Sequence, residues 1–473
     1  MTTREIDLIR KNWEPVLRDL SKVHHQSLSF YDKLIKAVGN AQIVLIGEAS
    51  HGTHEFYKHR AEITKRLIEE KGFNCVAAEA DFPDCFQLNQ YVRNVTQCSS
   101  VDALAGFKRF PTWMWRNTPT KEFLEWLCEY NKKFSNTKEK VGFYGLDLYS
   151  SDRSMHAVLE YLESTDPEAA SQARKDYECM RNYIENKRSS SFFSNLKKDC
   201  QEKVMKVLID LQSRTKDFFE NDKSVSEEDR LFCAVQNALV VKNAEKYYRA
   251  MFLDGSWNIR DSHFFETLQE ILKYYEKTYE RQAKVVIWAH NSHVGDASQT
   301  DKINRAGREL NIGRLCRENL PLHKVYIIGF STYTGSVTAA DNWNEDPHYK
   351  KVNPGMKGSI EELCYKATRD QGVDNFLLIF RDNSATAASS ATGVNDIVID
   401  NELVEALAKS RQERAIGVIY RPHTEKVSHY FGAKVSKQFD ALIHFNVTRA
   451  VHPLDTQHEW AKKELEETYP FGL

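Results

Sequence analysis

The stretch AQIVLIGEASHGTHEFYKHRAEITKRLIEEKGFNCVAAEAD, residues 41 to 81, decides how the chain folds. It opens on the apolar run Ile43 to Ile46 and closes on a second, Cys75 to Ala78, both short and apolar enough to be buried strands. Between them Ile63, Leu67 and Ile68 share one side of a helix, and Gly72 supplies a stop just past its last turn. Strand, helix and strand in succession make a βαβ unit, whose crossover places the two strands parallel. The runs KVGFYGLD, KVVIWAHN, KVYIIGFS, NFLLIF, AIGVIY and ALIHFNV repeat the strand signal further along. The expected fold is α/β, a mostly parallel sheet of βαβ units with helices on both faces.

From about residue 151 to 280 the strand signal stops, and segments such as LFCAVQNALVVKNAEKYYRAMF carry helical spacing instead. Ser189 to Ser191 and the run SVSEEDR read as loops joining these helices. The expected organisation is an N-terminal helical segment over 1–40, a first half of the core over 41–150, a helical insertion over 151–280 and a second half over 281–473.

With a net charge of −2 over 473 residues, no electrostatic footprint for nucleic acid or an anionic membrane stands out, and neither partner is expected. No stretch reaches the roughly 18 apolar residues that span a bilayer, and the charged amino terminus lacks a signal-peptide core. Nine cysteines occur singly, with no CxxC pair, which suits a reducing compartment and small buried thiols. The expectation is a soluble cytoplasmic protein with a small-molecule substrate.

Several strands end in residues that ionise or donate hydrogen bonds: Glu48, Glu79 with Asp81, Asp147, His290 with Asn291, and Ser331. In a parallel sheet the carboxyl ends share one edge, where ligands bind. Glu48 lies three residues before His51, so its carboxylate can hold one ring nitrogen and leave the other free to take a proton from water. His290 and His293 repeat the one-turn spacing on another strand end. Arg60, on the helix that follows, either pairs with a carboxylate or binds a substrate oxygen. HxxH with an acidic third ligand could hold zinc, but the spacing is weak and HGTHE lacks the order of a helical zinc protease, so neither metal nor cofactor is expected. No GxSxG elbow, P-loop or GxGxxG fingerprint occurs.

The motifs IGEASHGTHEF with Arg60, AAEADFP, GFYGLDLYS, NIRDSHFFETL, VVIWAHNSHVGDA, RPHTEKVSHYF and QFDALIHFNVTRAVHPL resemble, in order, those of the erythromycin esterase family, from about Ile43 to about Pro453. The resemblance implies an α/β core with a helical insertion and hydrolysis of an ester without a covalent intermediate, in the family's named members the lactone of macrolide antibiotics. It carries catalytic roles to Glu48, His51, Arg60, Glu79 and His290, with His51 or His290 as general base and His51 preferred. Arg260 is similar to the family's insertion-end arginine, a partner for substrate or carboxylate, or else a structural ion pair near Asp261. His293, Tyr333 and Trp343 join Arg260 as candidate substrate-binding residues, the last two on the segment STYTGSVTAADNWNEDPHYKKVNPG, read as a loop walling the cleft. Phe110, Trp113 and Trp115 either line that cleft or fill the core, the second being preferred. His423 stands where many relatives carry another polar residue.

The leading expectation is therefore an esterase in which His51 activates water and His290 or Arg60 stabilises the oxyanion. The alternatives are a non-catalytic protein holding a metal or haem-like ligand, and a hydrolase of another bond such as a phosphoester.

Overall fold

The computed structural model describes residues 2–20, 29–186, 199–219, 225–250, 255–301, 309–384 and 397–455. Its strands are β1 (Glu14–Pro15), β2 (Ile43–Ile46), β3 (Cys75–Asp81), β4 (Gly142–Asp147), β5 (Val285–Trp288), β6 (Val325–Ala339), β7 (His348–Val352), β8 (Asn375–Ile379), β9 (Arg411–Arg414), β10 (Tyr430–Ala433) and β11 (Ala441–Thr448). Nine of them form one sheet in the order β1-β8-β11-β6-β2-β5-β3-β4, with β7 paired to β6. The six from β11 to β4 are mutually parallel, while β8, β1 and β7 join antiparallel. The fold is the expected α/β architecture with a mixed margin.

The period of two along each strand divides its side chains between two cores. Ile43, Leu45, Val285 and Ile287 enter one with Met155, Val158, Phe264 and Leu268 from the helices between β4 and β5. Val44, Ile46, Val286 and Trp288 enter the other with Phe56, Ile63 and Leu67 from the helix His54–Lys71. The sheet is thus the middle layer, which is why its strands read as continuous apolar runs. Gly72 caps that helix at φ 68°, donating its N–H to the Leu67 carbonyl, as the sequence predicts.

Between β4 and β5 the described elements are all helices: Ser151–Thr165, Pro167–Asp176, Glu178–Asn186, Asp199–Phe219, Val225–Ala250 and Ser256–Thr278. SVSEEDR is not a loop, since the helix starts at Val225; Ser189 to Ser191 fall outside the described residues. The first 40 residues supply the edge strand β1 as well as helices Thr3–Asn12 and Asp32–Val38. AIGVIY is not a strand of the sheet: Ile416 and Ile419 make only isolated bridges, to Ser50 and Ala340. The segment read as a loop after Ser331 is largely the β6–β7 hairpin, so Ser331 is interior to β6 and bonds to the buried His444 ring at 2.7 Å rather than facing a cleft. Cys179 and Cys200 form a disulfide, and Cys98 is exposed, so the cysteines are not uniformly buried thiols. Among the described residues no helix is long and apolar enough to cross a membrane.

Candidate active site

The strand order sets β2, β5, β3 and β4 side by side, bringing their polar carboxyl ends together. After β2 the chain turns sharply, held by hydrogen bonds from His51 N to Ile416 O (3.0 Å), Ile416 N to Ala49 O (2.9 Å) and Asn291 N to Glu48 O (2.8 Å). Gly52 completes the turn at φ 72°, where a Cβ would also collide with the Thr338 carbonyl. Within this turn His51 Nδ1 lies 2.7 Å from Glu48 Oε1, with His51 only 6% exposed and Glu48 fully buried. A carboxylate accepts only, so Nδ1 carries the proton and Nε2 presents its lone pair, 4.0 Å from Glu79 Oε1.

Arg60 returns to this pair from the second turn of its helix. Its Nη1 is 3.3 Å from Glu48 Oε2, and its guanidinium is packed against the rings of Tyr57, Trp288 and Trp115 at 4.6, 4.9 and 5.7 Å. It is fully enclosed and does not line the cleft, so of its two expected uses only the carboxylate pairing is sterically open and the oxyanion role is withdrawn.

Glu79, at the end of β3, is the hub of a second network. Its Oε2 accepts His290 N–H at 2.9 Å and its Oε1 accepts Arg260 Nη2–H at 2.8 Å. Arg260 also grips Asp147 with two bonds of 3.0 and 2.7 Å, the bidentate geometry that suits guanidinium best. His293 sits 2.9 Å from Asp261 and 3.3 Å from Glu79, stacked on Trp257 at 4.5 Å with planes 6° apart. Burial alone would lower its pKa, but Asp261 and Glu79 outweigh burial and raise it to about 9. Burial likewise works against ionised Glu79, yet His293 and Arg260 hold its carboxyl well below the usual range. Arg260 Nη1, 3.0 Å from His293 Nε2, opposes the imidazolium without reversing the balance.

His290 caps the short helix Asn291–Val294, its Nδ1 accepting Ser292 N–H at 3.1 Å. The other nitrogen is therefore the ring's N–H donor. Its ring centroid is 4.9 Å from that of His51, so the two distant histidines do converge. A cleft of about 410 Å³ opens over His51, Glu79, Asp147 and Arg260, and His290 stands just outside its lining.

The cleft has an aromatic wall that includes Phe110, Trp115 and Trp343, so the first two are not simply core, while Trp113 is. Tyr333 is elsewhere, stacked flat on Tyr365 at 3.9 Å, and His293 is behind the lining; neither is placed to bind substrate directly. Sequence reading missed Arg109, which forks onto Asp81 at 3.0 and 3.1 Å, and the lining residues Tyr149, Trp257 and His429. The spacing carries no signal for them, because each partner comes from another element. Among the described residues no group of three or more His, Cys, Asp or Glu side chains is arranged to hold a metal ion.

This chain belongs to the erythromycin esterase family, whose sequence model matches residues 68–448. That match begins after Glu48, His51 and Arg60, whose assignment rests on the geometry above. Family membership indicates a hydrolase. The chain is similar to YbfO of Bacillus subtilis (strain 168), named as an inferred hydrolase, at 24% identity over 390 residues, 78% of this chain and 80% of that one. It is similar to erythromycin esterase type II of Escherichia coli at 30% identity over 154 residues, 31% of this chain and 35% of that one. Among solved structures it resembles a succinoglycan biosynthesis protein (TM-score 0.70, 19% identity, 95% of this chain and 98% of that one). It also resembles a mutant of the erythromycin esterase EreC in its open conformation (TM-score 0.61, 15% identity, 94% and 100%). At these identities the solved structures establish a shared fold.

Proposed function

We propose that the protein hydrolyses carboxylic esters through water activated by His51, and that lactones of the macrolide type are the first substrates to test. One observation carries the reading: Glu48 fixes the His51 tautomer at 2.7 Å while Nε2 faces the cleft 4.0 Å from Glu79 Oε1. Two acceptors at that separation are both within about 2.8 Å of a single water, close to a normal hydrogen bond. Such a water donates one proton to each and turns its lone pairs toward the cleft. Its oxygen attacks the acyl carbon as His51 takes the proton. The developing oxyanion falls to His290, whose second ring nitrogen donates and whose ring centroid is 4.9 Å from that of His51. The tetrahedral intermediate then expels the alcohol, His51 returns its proton to the leaving oxygen, and an acid and an alcohol, or one hydroxy acid from a lactone, remain.

His290 is disposed to donate rather than accept, since its Nδ1 is committed to Ser292 N–H. This supports His51 as the base. A phosphoester fits less well, because Glu79, Asp81 and Asp147 line the cleft and Arg109 and Arg260 are already paired with them. Incubation with erythromycin and simpler lactones and esters in H₂18O, followed by mass spectrometry, tests the reading. One 18O is expected in the acid product and no acyl adduct on the protein. A trapped acyl-protein, or no hydrolysis of any of them, contradicts it.

A further inference from the structure

The disulfide between Cys179 and Cys200 has no part in the chemistry above, yet its surroundings lead back to the cleft. It joins the helix Glu178–Asn186 to the helix Asp199–Phe219, across 21 positions of sequence. The two helices are held unequally. The longer one buries Val204, Leu208 and Leu211 in the core it shares with Val235 and Leu239 of the helix Val225–Ala250. In the shorter one only Met180 and Tyr183 are buried among the described residues, so the covalent link is a large part of what fixes it.

From the shorter helix a series of ring contacts runs to the cleft wall. Tyr183 lies against Tyr248 with ring centroids 5.4 Å apart, and Tyr248 Oη is 3.1 Å from Ser151 Oγ. The next residue along, Tyr247, lines the cleft, its ring 5.6 Å from that of Tyr149 and the two hydroxyls 3.5 Å apart. The Tyr149 ring in turn carries the guanidinium groups of Arg260 and Arg109 at 4.7 and 5.1 Å. Four tyrosines therefore connect the cross-linked helix to the arginine that holds Glu79, a contiguous packed path of the kind along which two sites can be coupled.

We propose that the Cys179–Cys200 bond is a redox site controlling the cleft, exchanged by a dithiol reductant. Cys179 is partly exposed and Cys200 fully buried, so attack falls on the Cys179 sulfur. A reductant thiolate bonds to that sulfur, the S–S bond breaks, and Cys200 leaves as a thiolate that takes a proton. The second reductant thiol then displaces Cys179, leaving two protein thiols and the reductant as its own disulfide. The other seven cysteines are free, so this is the dithiol's one target. With the bond made, the shorter helix holds Tyr183 on Tyr248 and keeps Tyr247 in the cleft wall. With it cut, that support loosens and the cleft binds substrate less well.

The effect on turnover rests on the ester-hydrolase reading, and one arm of the test does not. The full chain, oxidised and then treated with dithiothreitol, is compared by amide hydrogen exchange and by kinetics, both well below either melting temperature. Reduction is expected to speed exchange about tenfold over residues 241–249 as well as in the helix Glu178–Asn186. It is expected to raise KM about fivefold for an ester that the oxidised protein hydrolyses, with kcat unchanged, and reoxidation is expected to reverse both. Cys179→Ser should match the reduced protein and ignore dithiothreitol, while Cys98→Ser, which removes an exposed free thiol, should respond as the wild type does. A lower melting temperature with exchange over 241–249 and KM both unchanged marks the bond as a staple and overturns the proposal. Faster exchange there with an unchanged KM overturns control of the cleft. Faster exchange with no ester hydrolysed by either form supports the redox site and counts against the hydrolase reading.

Discussion

At the scale of the residue, the account turns on which nitrogen of His51 holds its proton. Glu48→Gln keeps the shape but lets the amide donate to Nδ1, which engages that lone pair and moves the ring proton to Nε2, where the base must be free. A fall in kcat of about 10²- to 10⁴-fold with little change in KM is expected, and steady-state kinetics on any ester turned over by the wild type checks it. Arg60 acts one step back. Arg60→Met should leave Glu48 as a buried uncompensated charge and lower stability by about 3–5 kcal/mol, read from urea unfolding. An unchanged midpoint would mean that Glu48 does not depend on its cation.

The Glu48–His51 pair was legible in the sequence because it is local, three residues apart across a turn. The Arg260 fork was not. Its partners lie 113 and 181 positions away, and only the ordering of β3, β4 and the helix Ser256–Thr278 makes them neighbours. Asp261 illustrates the same limit: adjacent to Arg260 in sequence, it pairs with His293, 32 positions away, at the ring's other nitrogen.

At the scale of the element, the βαβ unit could be read directly, since apolar runs and helical spacing report burial on two faces. AIGVIY misled because burial alone does not make a strand. It is covered by β6, β7 and the turn after β2, and forms the cleft rim instead of joining the ladder. β6 ran past its expected end because polar residues beyond Ser331 pair with β7, and an antiparallel hairpin tolerates a polar face. The turn after β2 depends on close packing: a Cβ on Gly47 would meet the Asn291 side chain, which is itself bonded to Phe330 O at 2.7 Å. Gly47→Ala is expected to displace Glu48 and His290 together and to reduce activity more than it reduces the melting temperature. A variant with native rates would show that the turn has room.

At the scale of the whole molecule, proton linkage predicts a stability optimum near pH 6.5. His59 and His263 are fully buried with pKa values lowered by burial to about 4, and His444 to about 3, against an ordinary 6.5. The unfolded chain therefore binds protons that the native state refuses, and stability present above pH 6.5 is lost as pH falls through the folded values. His293 has the opposite sign. Raised to about 9, it contributes stability that is complete below pH 6.5 and lost as pH rises to 9. Urea midpoints between pH 4 and 10 should trace this dome, and His293→Gln should flatten its alkaline side. A midpoint in the variant that still falls from pH 6.5 to 9 would assign that limb to other groups.

The most direct measurement is the rate at which purified His51→Ala hydrolyses the best wild-type ester, taken beside its melting curve. The account predicts at least a 10³-fold loss of kcat with the fold preserved, consistent with removal of a general base from a preorganised site. Hydrolysis at the wild-type rate by the folded variant would contradict it.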